Sequence, residues 1–161
     1  MRQAIGSTWI LQLVIVFILI FVAFLALSIN YTKAYKIKNE LLSIIEKYEG
    51  VNSGENGSIS IINNYLKYNS YGTKGTCENE GFGATSLDSN TLVEADEKTK
   101  YYYCVKKVNT SNLTFEDRAS YEIETFFKFN LPLLGDIFTF RVTGKTIDIN
   151  WPDDDIHYSV D

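Results

Sequence analysis

WILQLVIVFILIFVAFLALSIN, residues Trp9 to Asn30, carries no formal charge, and Ile10 to Ile29 are apolar except at Gln12 and Ser28. At about 1.5 Å per residue such a run spans roughly the 30 Å hydrocarbon core of a bilayer. It is longer than the apolar part of a cleaved secretory signal, and Ala26-Leu27-Ser28 behind it is a poor small-x-small cleavage site. The expectation is therefore a single-pass membrane protein that keeps its helix and displays everything after Tyr31 on one side of the membrane. The expected organisation is a short tail at 1–7, a membrane helix at 8–30, an amphipathic continuation at 31–49 and one α+β domain at 50–161.

The continuation is legible from its period. Residues 31–48 contain no Gly or Pro, and Ala34, Ile37, Leu41, Ile44 and Tyr48 recur at helical spacing. Lys33, Lys36, Glu40, Glu46 and Lys47 fill the other faces, and Glu49-Gly50 supplies a stop. One helix from about Thr8 to Tyr48 follows, apolar all round in its first half and amphipathic in its second.

Beyond it, residues 51–57 read as a polar loop. Ser58 is placed to cap a short helix over 59–68 with Ile61, Ile62, Tyr65 and Leu66 as its buried side. Residues 70–99 are rich in Gly, Ser, Thr, Asn and Glu and read as loops with one short strand. Residues 100–108 are aromatic and β-favouring. Tyr121, Ile123, Thr125, Phe127, Phe129 and Leu131 then alternate with Glu122, Glu124, Phe126, Lys128 and Asn130, which is the period of a strand. Pro132 to Asp136 reads as a turn, 137–149 as the return strand, and Gly144 as the mark of a bulge. Three antiparallel strands with one apolar face need a cover, and the amphipathic half of the long helix supplies it.

The formal net charge is −5, and Arg2 alone among the basic residues precedes the helix, so the remainder is more acidic still. That disfavours nucleic acid, whose phosphates need a surplus of Lys and Arg, and a polybasic lipid patch. Frequent Asn, Ile, Lys and Tyr fit an AT-rich bacterial genome. In an exported domain Cys77 and Cys104 most simply form one disulfide, closing a loop of about 28 residues and contributing roughly 3 kcal/mol; two buried thiols are the alternative. No Cys-x-x-Cys or His cluster accompanies them as metal ligands.

Ile29-Asn30-Tyr31, Ala34 to Asn39, Ile44-Ile45-Glu46 and Gly50, with Phe129 to Leu134 and then Phe138 to Thr146, together resemble TadE-like proteins, the minor pseudopilins of tight-adherence (Flp-type, type IV-like) pili. The resemblance covers about half the chain. It implies a pilin-like α+β fold, a long N-terminal helix packed on a small antiparallel sheet. It also implies membrane lipid, other pilin subunits and a prepilin peptidase as partners, with no cofactor. Such precursors have a short basic leader ending in Gly, here Met1 to Gly6, so the mature chain would begin at Ser7. The family's Glu at the fifth mature position neutralises a neighbouring N-terminal amine; Leu11 stands there instead, with Gln12 displaced by one. An unpaired buried charge is costly, so this departure implies either a tip or priming subunit or a chain that is never cleaved. Leu11, Gln12, Val14 and Ile18 are the positions expected to pack in a helix bundle.

Lys33, Lys36 and Lys38 follow the helix, and a literal positive-inside count puts the domain in the cytoplasm. Glu40 behind them, the cysteine pair and the family plan favour an extracytoplasmic domain, on the cell surface or in a pilus. The competing function is a permanently anchored extracytoplasmic binding module, a receptor or adhesin. Signs of enzymatic chemistry are weak. Gly144-Lys145-Thr146 lacks the first Gly of a P-loop and lies in a strand pattern. His157 has no G-x-S-x-G partner. Asp153-Asp154-Asp155 lacks the spacing of a calcium loop and reads as solvated tail.

Overall fold

The computed structural model describes residues 2–78, 81–109, 118–131 and 135–150. It is an α+β protein built from one long apolar N-terminal helix and a small antiparallel sheet. Helix α1 runs unbroken over Arg2–Lys47 and α2 over Ser58–Tyr68. The strands are β1 (Phe82–Gly83), β2 (Val93–Glu94), β3 (Tyr103–Asn109), β4 (Arg118–Leu131), β5 (Gly135–Lys145) and β6 (Ile149–Asn150). They lie in the order β2-β1-β3-β4-β5, and β6 pairs with the start of β4.

Helix α1 starts at Arg2 rather than Thr8. Gly6 alone does not interrupt it, because a single Gly costs only about 1 kcal/mol in a helix. Its end is a Schellman motif: the Gly50 amide donates to the Ile45 carbonyl at 3.0 Å and the Glu49 amide to that of Glu46 at 3.3 Å. Glu49, not Gly50, takes the left-handed backbone, at φ 54°.

The lower stripe of α1 is sealed as its period requires. Ala34, Ile37, Leu41, Ile44 and Ile45 are buried with Val51, Tyr103, Tyr121, Ile123 and Phe127 in the principal core. Burying each Ile, Leu or Val side chain of that set stabilises the domain by about 1.5–3 kcal/mol. The second face of the sheet carries a smaller core of Cys77, Tyr101, Cys104 and Phe126. The buried aromatic residues are divided between the faces: Tyr103 and Phe127 belong to the core with the helix, and Tyr101 and Phe126 to the smaller core with Cys77.

Several local expectations change. Gly57, not Ser58, is the N-cap of α2, and it makes no side-chain cap bond. The Ser58 hydroxyl instead accepts the Asn52 amide at 2.8 Å, tying the preceding loop to the helix. The buried face of α2 is Ile59, Ile62, Asn63 and Leu66, with Ile61 and Tyr65 half-buried. Residues 70–99 contain two short strands, not one, and a bridge from Gly75 to Tyr101. The three expected strands form the body of a larger sheet. Gly135 and Asp136 belong to the β5 ladder opposite Leu131 and Asn130, and the return strand ends at Lys145.

Gly144 marks no bulge: it sits in regular register opposite Ile123, and the irregularity falls between Phe129 and Asn130. Its smallness answers to the helix instead. A Cβ there would lie 2.7 Å from Lys38 Cδ and 2.8 Å from Leu42 Cδ1, closer than real contacts allow. Helix α1 thus docks on β5 with the ends of the Lys38 and Leu42 side chains against the Gly144 backbone, and any side chain at 144 has to displace them. The turn at Pro132, the Asp153 to Asp155 run and His157 lie outside the described residues.

Candidate functional site

The apolar half of α1 is the first candidate. Thr8–Lys47 is long and apolar enough to cross a membrane, and no residue of its most apolar window is buried against the rest of the chain. Leu11, Val14 and Ile18 are all exposed, at 62%, 46% and 53%, as is Gln12 on the next face. No residue from Thr8 to Asn30 is buried, so the apolar surface there needs lipid or another helix. Gly6 and Ser7 lie within the helical span of α1. Leu11 offers no charge for a neighbouring amine.

The second candidate lies on the sheet face away from α1. Cys77 and Cys104 form a disulfide across Cα atoms 5.9 Å apart. The β3–β4 register places Cys104 directly opposite Glu124. Glu124 is buried, and its carboxylate accepts the amide of Glu78, next to Cys77, at 3.2 Å. The Arg141 guanidinium of β5 pairs with the Glu78 carboxylate, and its Nε stands 3.7 Å from the Glu124 carboxylate. One cation thus serves two carboxylates, one buried and one exposed, and the loop at Cys77 is fastened by a covalent bond, an amide hydrogen bond and an ion pair. A buried carboxylate is tolerated only when satisfied in this way.

Beside this network a cleft of about 240 Å³ opens, lined among others by Lys74, Thr76, Lys100, Phe140 and Arg141. Lys74 Nζ donates to the Thr85 carbonyl at 2.9 Å and stands 4.2 Å above the Tyr102 ring. The cleft is a cationic notch on an otherwise acidic chain.

Two tyrosines organise the interior: Tyr103, within the aromatic strand over 100–108, and Tyr71, which no pattern in the sequence marks. The Tyr71 hydroxyl bonds the backbone of Phe126, and the Tyr103 hydroxyl donates to Asn63 Oδ1 at 3.2 Å. Burial pushes both phenols above the ordinary tyrosine value of 10.0. Asn63 in turn donates to the Ser89 carbonyl at 2.7 Å, linking α2 to the 84–92 loop. Among the described residues no group of three or more His, Cys, Asp or Glu is placed to hold a metal ion. Comparison with protein-family models, with curated proteins and with solved structures finds no match.

Proposed function

We propose that this protein is a structural, non-enzymatic minor pilin or pseudopilin subunit of a bacterial type IV-like, Tad/Flp-type pilus or related secretion machine. It is held in the membrane as a single-pass precursor with its domain outside. The observation that carries this reading is the unbroken α1. Its first half has no buried residue from Thr8 to Asn30 and its second half is sealed into the domain without a joint. A simple tether needs no rigid join between anchor and domain. A subunit that must hold its domain at one orientation around a packed helix bundle does. On leaving the bilayer the bare half requires other helices to replace lipid. Leu11, with no charge to offer a preceding subunit, suits initiation or the tip.

The test is the intact mass and N-terminus of the protein isolated from its own cells. The expected chain begins at Ser7. A chain that retains Met1 to Gly6, or lacks only Met1, overturns the pilin reading. It would favour a permanently anchored binding module, to which the cationic cleft at Lys74, Lys100 and Arg141 then gives a ligand surface.

A further inference from the structure

We propose that Lys38, Tyr35 and the α1 face beneath them form a binding site for one anionic phospholipid of the leaflet on the domain's side. The lipid phosphate pairs with the Lys38 ammonium, and an acyl chain follows Leu27 and Phe24. This rests on the reading of α1 as a membrane-spanning helix.

Lys38 is buried, at 7% exposure, whereas Lys33 and Lys36 of the same helix are exposed. A lysine is almost never buried so far unless it is paired. Among the described residues no carboxylate pairs with Lys38, and the partner of its ammonium is the Tyr35 ring, 4.1 Å from Nζ. Glu40, two residues on, stands about 160° around the axis. A ring face offsets only part of the cost of taking an ammonium out of water. The stem is held by β5. A Cβ at Gly144 would lie 2.7 Å from Lys38 Cδ and 3.3 Å from Cε, so the missing side chain at 144 makes the slot in which the lysine methylenes lie. A stem held in this way leaves the ammonium little rotamer freedom to lose on meeting an anion.

The site lies at the height of a headgroup. The uncharged run ends at Asn30, which puts the edge of the hydrocarbon near Tyr31, and tyrosine favours that interface. The headgroup layer beyond the edge is about 5–8 Å thick. Tyr35 stands about 6 Å above Tyr31 along the axis. Side chains on a helix lean toward its N-terminus, and Lys38 Nζ meets the ring one turn below it. The ammonium therefore hangs back toward the bilayer. Ala34, at the same height on the adjoining face, is already fully buried in the domain core, so no spacer lifts the site out of the headgroup layer.

The same face presents groups in the order of a lipid's own parts. Ile20, Phe24, Leu27, Tyr31, Tyr35 and Lys38 follow one another three or four residues apart, about five turns in all, and so form one line along α1. The first five are exposed. Tyr31 and Tyr35 stack with ring centroids 6.1 Å apart. Apolar side chains thus lie at acyl depth, a pair of rings above them, and a cation at the level of phosphate. No Asp or Glu stands in the line. The preference for an anionic lipid follows from charge. A zwitterionic headgroup brings its own cation beside its phosphate and sets it against Lys38, whereas a phosphoglycerol headgroup brings only hydroxyls.

The test is native mass spectrometry of the full chain in detergent micelles, titrated with phosphatidylglycerol or with phosphatidylcholine of the same acyl chains. One phosphatidylglycerol should be retained, with an affinity about tenfold above that for phosphatidylcholine, the worth of one hydrogen bond to a charged group. Lys38→Met keeps a stem for the Gly144 slot and should erase that preference. Lys36→Met removes an equal charge and should leave it. Equal retention of the two lipids, an undiminished preference in Lys38→Met, or the same loss in Lys36→Met each overturns the site. Glycerol 3-phosphate at equal concentration should not displace the lipid; displacement would mark a site for soluble phosphate esters and overturn the lipid reading. Acetylation of the unsubstituted chain by a water-soluble amine reagent in nanodiscs gives a second measurement. Phosphatidylglycerol should slow Lys38 more than it slows Lys33 and Lys36, relative to phosphatidylcholine, and equal slowing of all three overturns the site. A chain that stays monomeric in buffer without detergent or lipid removes the membrane reading of α1 and the site with it, whereas every other failure leaves that reading standing.

Discussion

The phenolic oxygen of Tyr71 stands 2.7 Å from both the amide nitrogen and the carbonyl oxygen of Phe126. One side chain thereby serves both backbone groups of a buried strand residue. The paired ladder of β3 against β4 stops at Tyr103 opposite Thr125, and Phe126 is the next residue along. Tyr71 takes the place of the missing strand neighbour, and its hydroxyl also lies 3.0 Å from the Tyr102 carbonyl where β3 turns away.

Tyr71→Phe should therefore cost more than a surface hydrogen bond. It leaves a buried N–H and a buried C=O without a side-chain partner, and each orphan costs about 1–3 kcal/mol. A loss of about 2–4 kcal/mol in urea unfolding of the full chain in detergent micelles is expected, with α1 retained by circular dichroism. A loss below about 0.5 kcal/mol would mean that water replaces the phenol.

Alkaline pH should act through the same side chain and Tyr103. Both phenols are raised above 10.0 by burial, so the folded state holds their protons more tightly than the unfolded state. Their contribution is complete below the unfolded value and is lost as pH rises through the folded values. Melting temperature should be insensitive to these groups at neutral pH and fall above about pH 10. Tyr103→Phe should flatten that fall. An unchanged alkaline slope in the variant would remove Tyr103 as a source.

Gly144→Leu should undock the helix from the sheet, because the new side chain meets Lys38 and Leu42 where a Cβ alone is already too close. Overpacking of this kind costs about 1–3 kcal/mol. Leu42→Ala should restore part of the loss, and a double-mutant cycle reads the coupling directly. Strict additivity of the two substitutions would show that Gly144 matters for its backbone alone.

Much of this arrangement was legible in the residues. The helical spacing of Ala34, Ile37 and Leu41 marked the face that meets the sheet, and the alternation from Tyr121 to Leu131 marked the central strand. These signals survive because a buried stripe must repeat with the period of its element. Gly144 was visible only as an oddity, since its cause is a helix about a hundred residues earlier in the chain. Tyr71 and Asn63 were not legible. A polar group that satisfies a distant backbone atom leaves no periodic trace. The α2 face turned because Asn63 enters the core through its amide bonds, which hydropathy does not count. Glu124 is an intermediate case: once β3 and β4 are set in register it stands opposite Cys104.

Opening the Cys77–Cys104 disulfide with Cys77→Ser and Cys104→Ser together should lower stability by roughly 3 kcal/mol, the value for a closed loop of this length. The loss should appear locally as well. Amide exchange should quicken through residues 75–101 more than in β4 or α1, since Glu124 and Arg141 hold only one end of that segment. Uniform acceleration across the domain would mean that the bond acts on global unfolding alone.

Because α1 has no joint, the azimuth of the domain is locked to the azimuth of the apolar half. Each residue between them is worth about 100° of turn and 1.5 Å of height. Inserting one residue after Tyr31 swings the domain about a quarter turn around the axis, whereas seven return it to within about 20° of its starting heading. The length of this helix therefore acts as a phase setting: which face of the domain looks toward a neighbour is decided by counting residues, with no change to any surface.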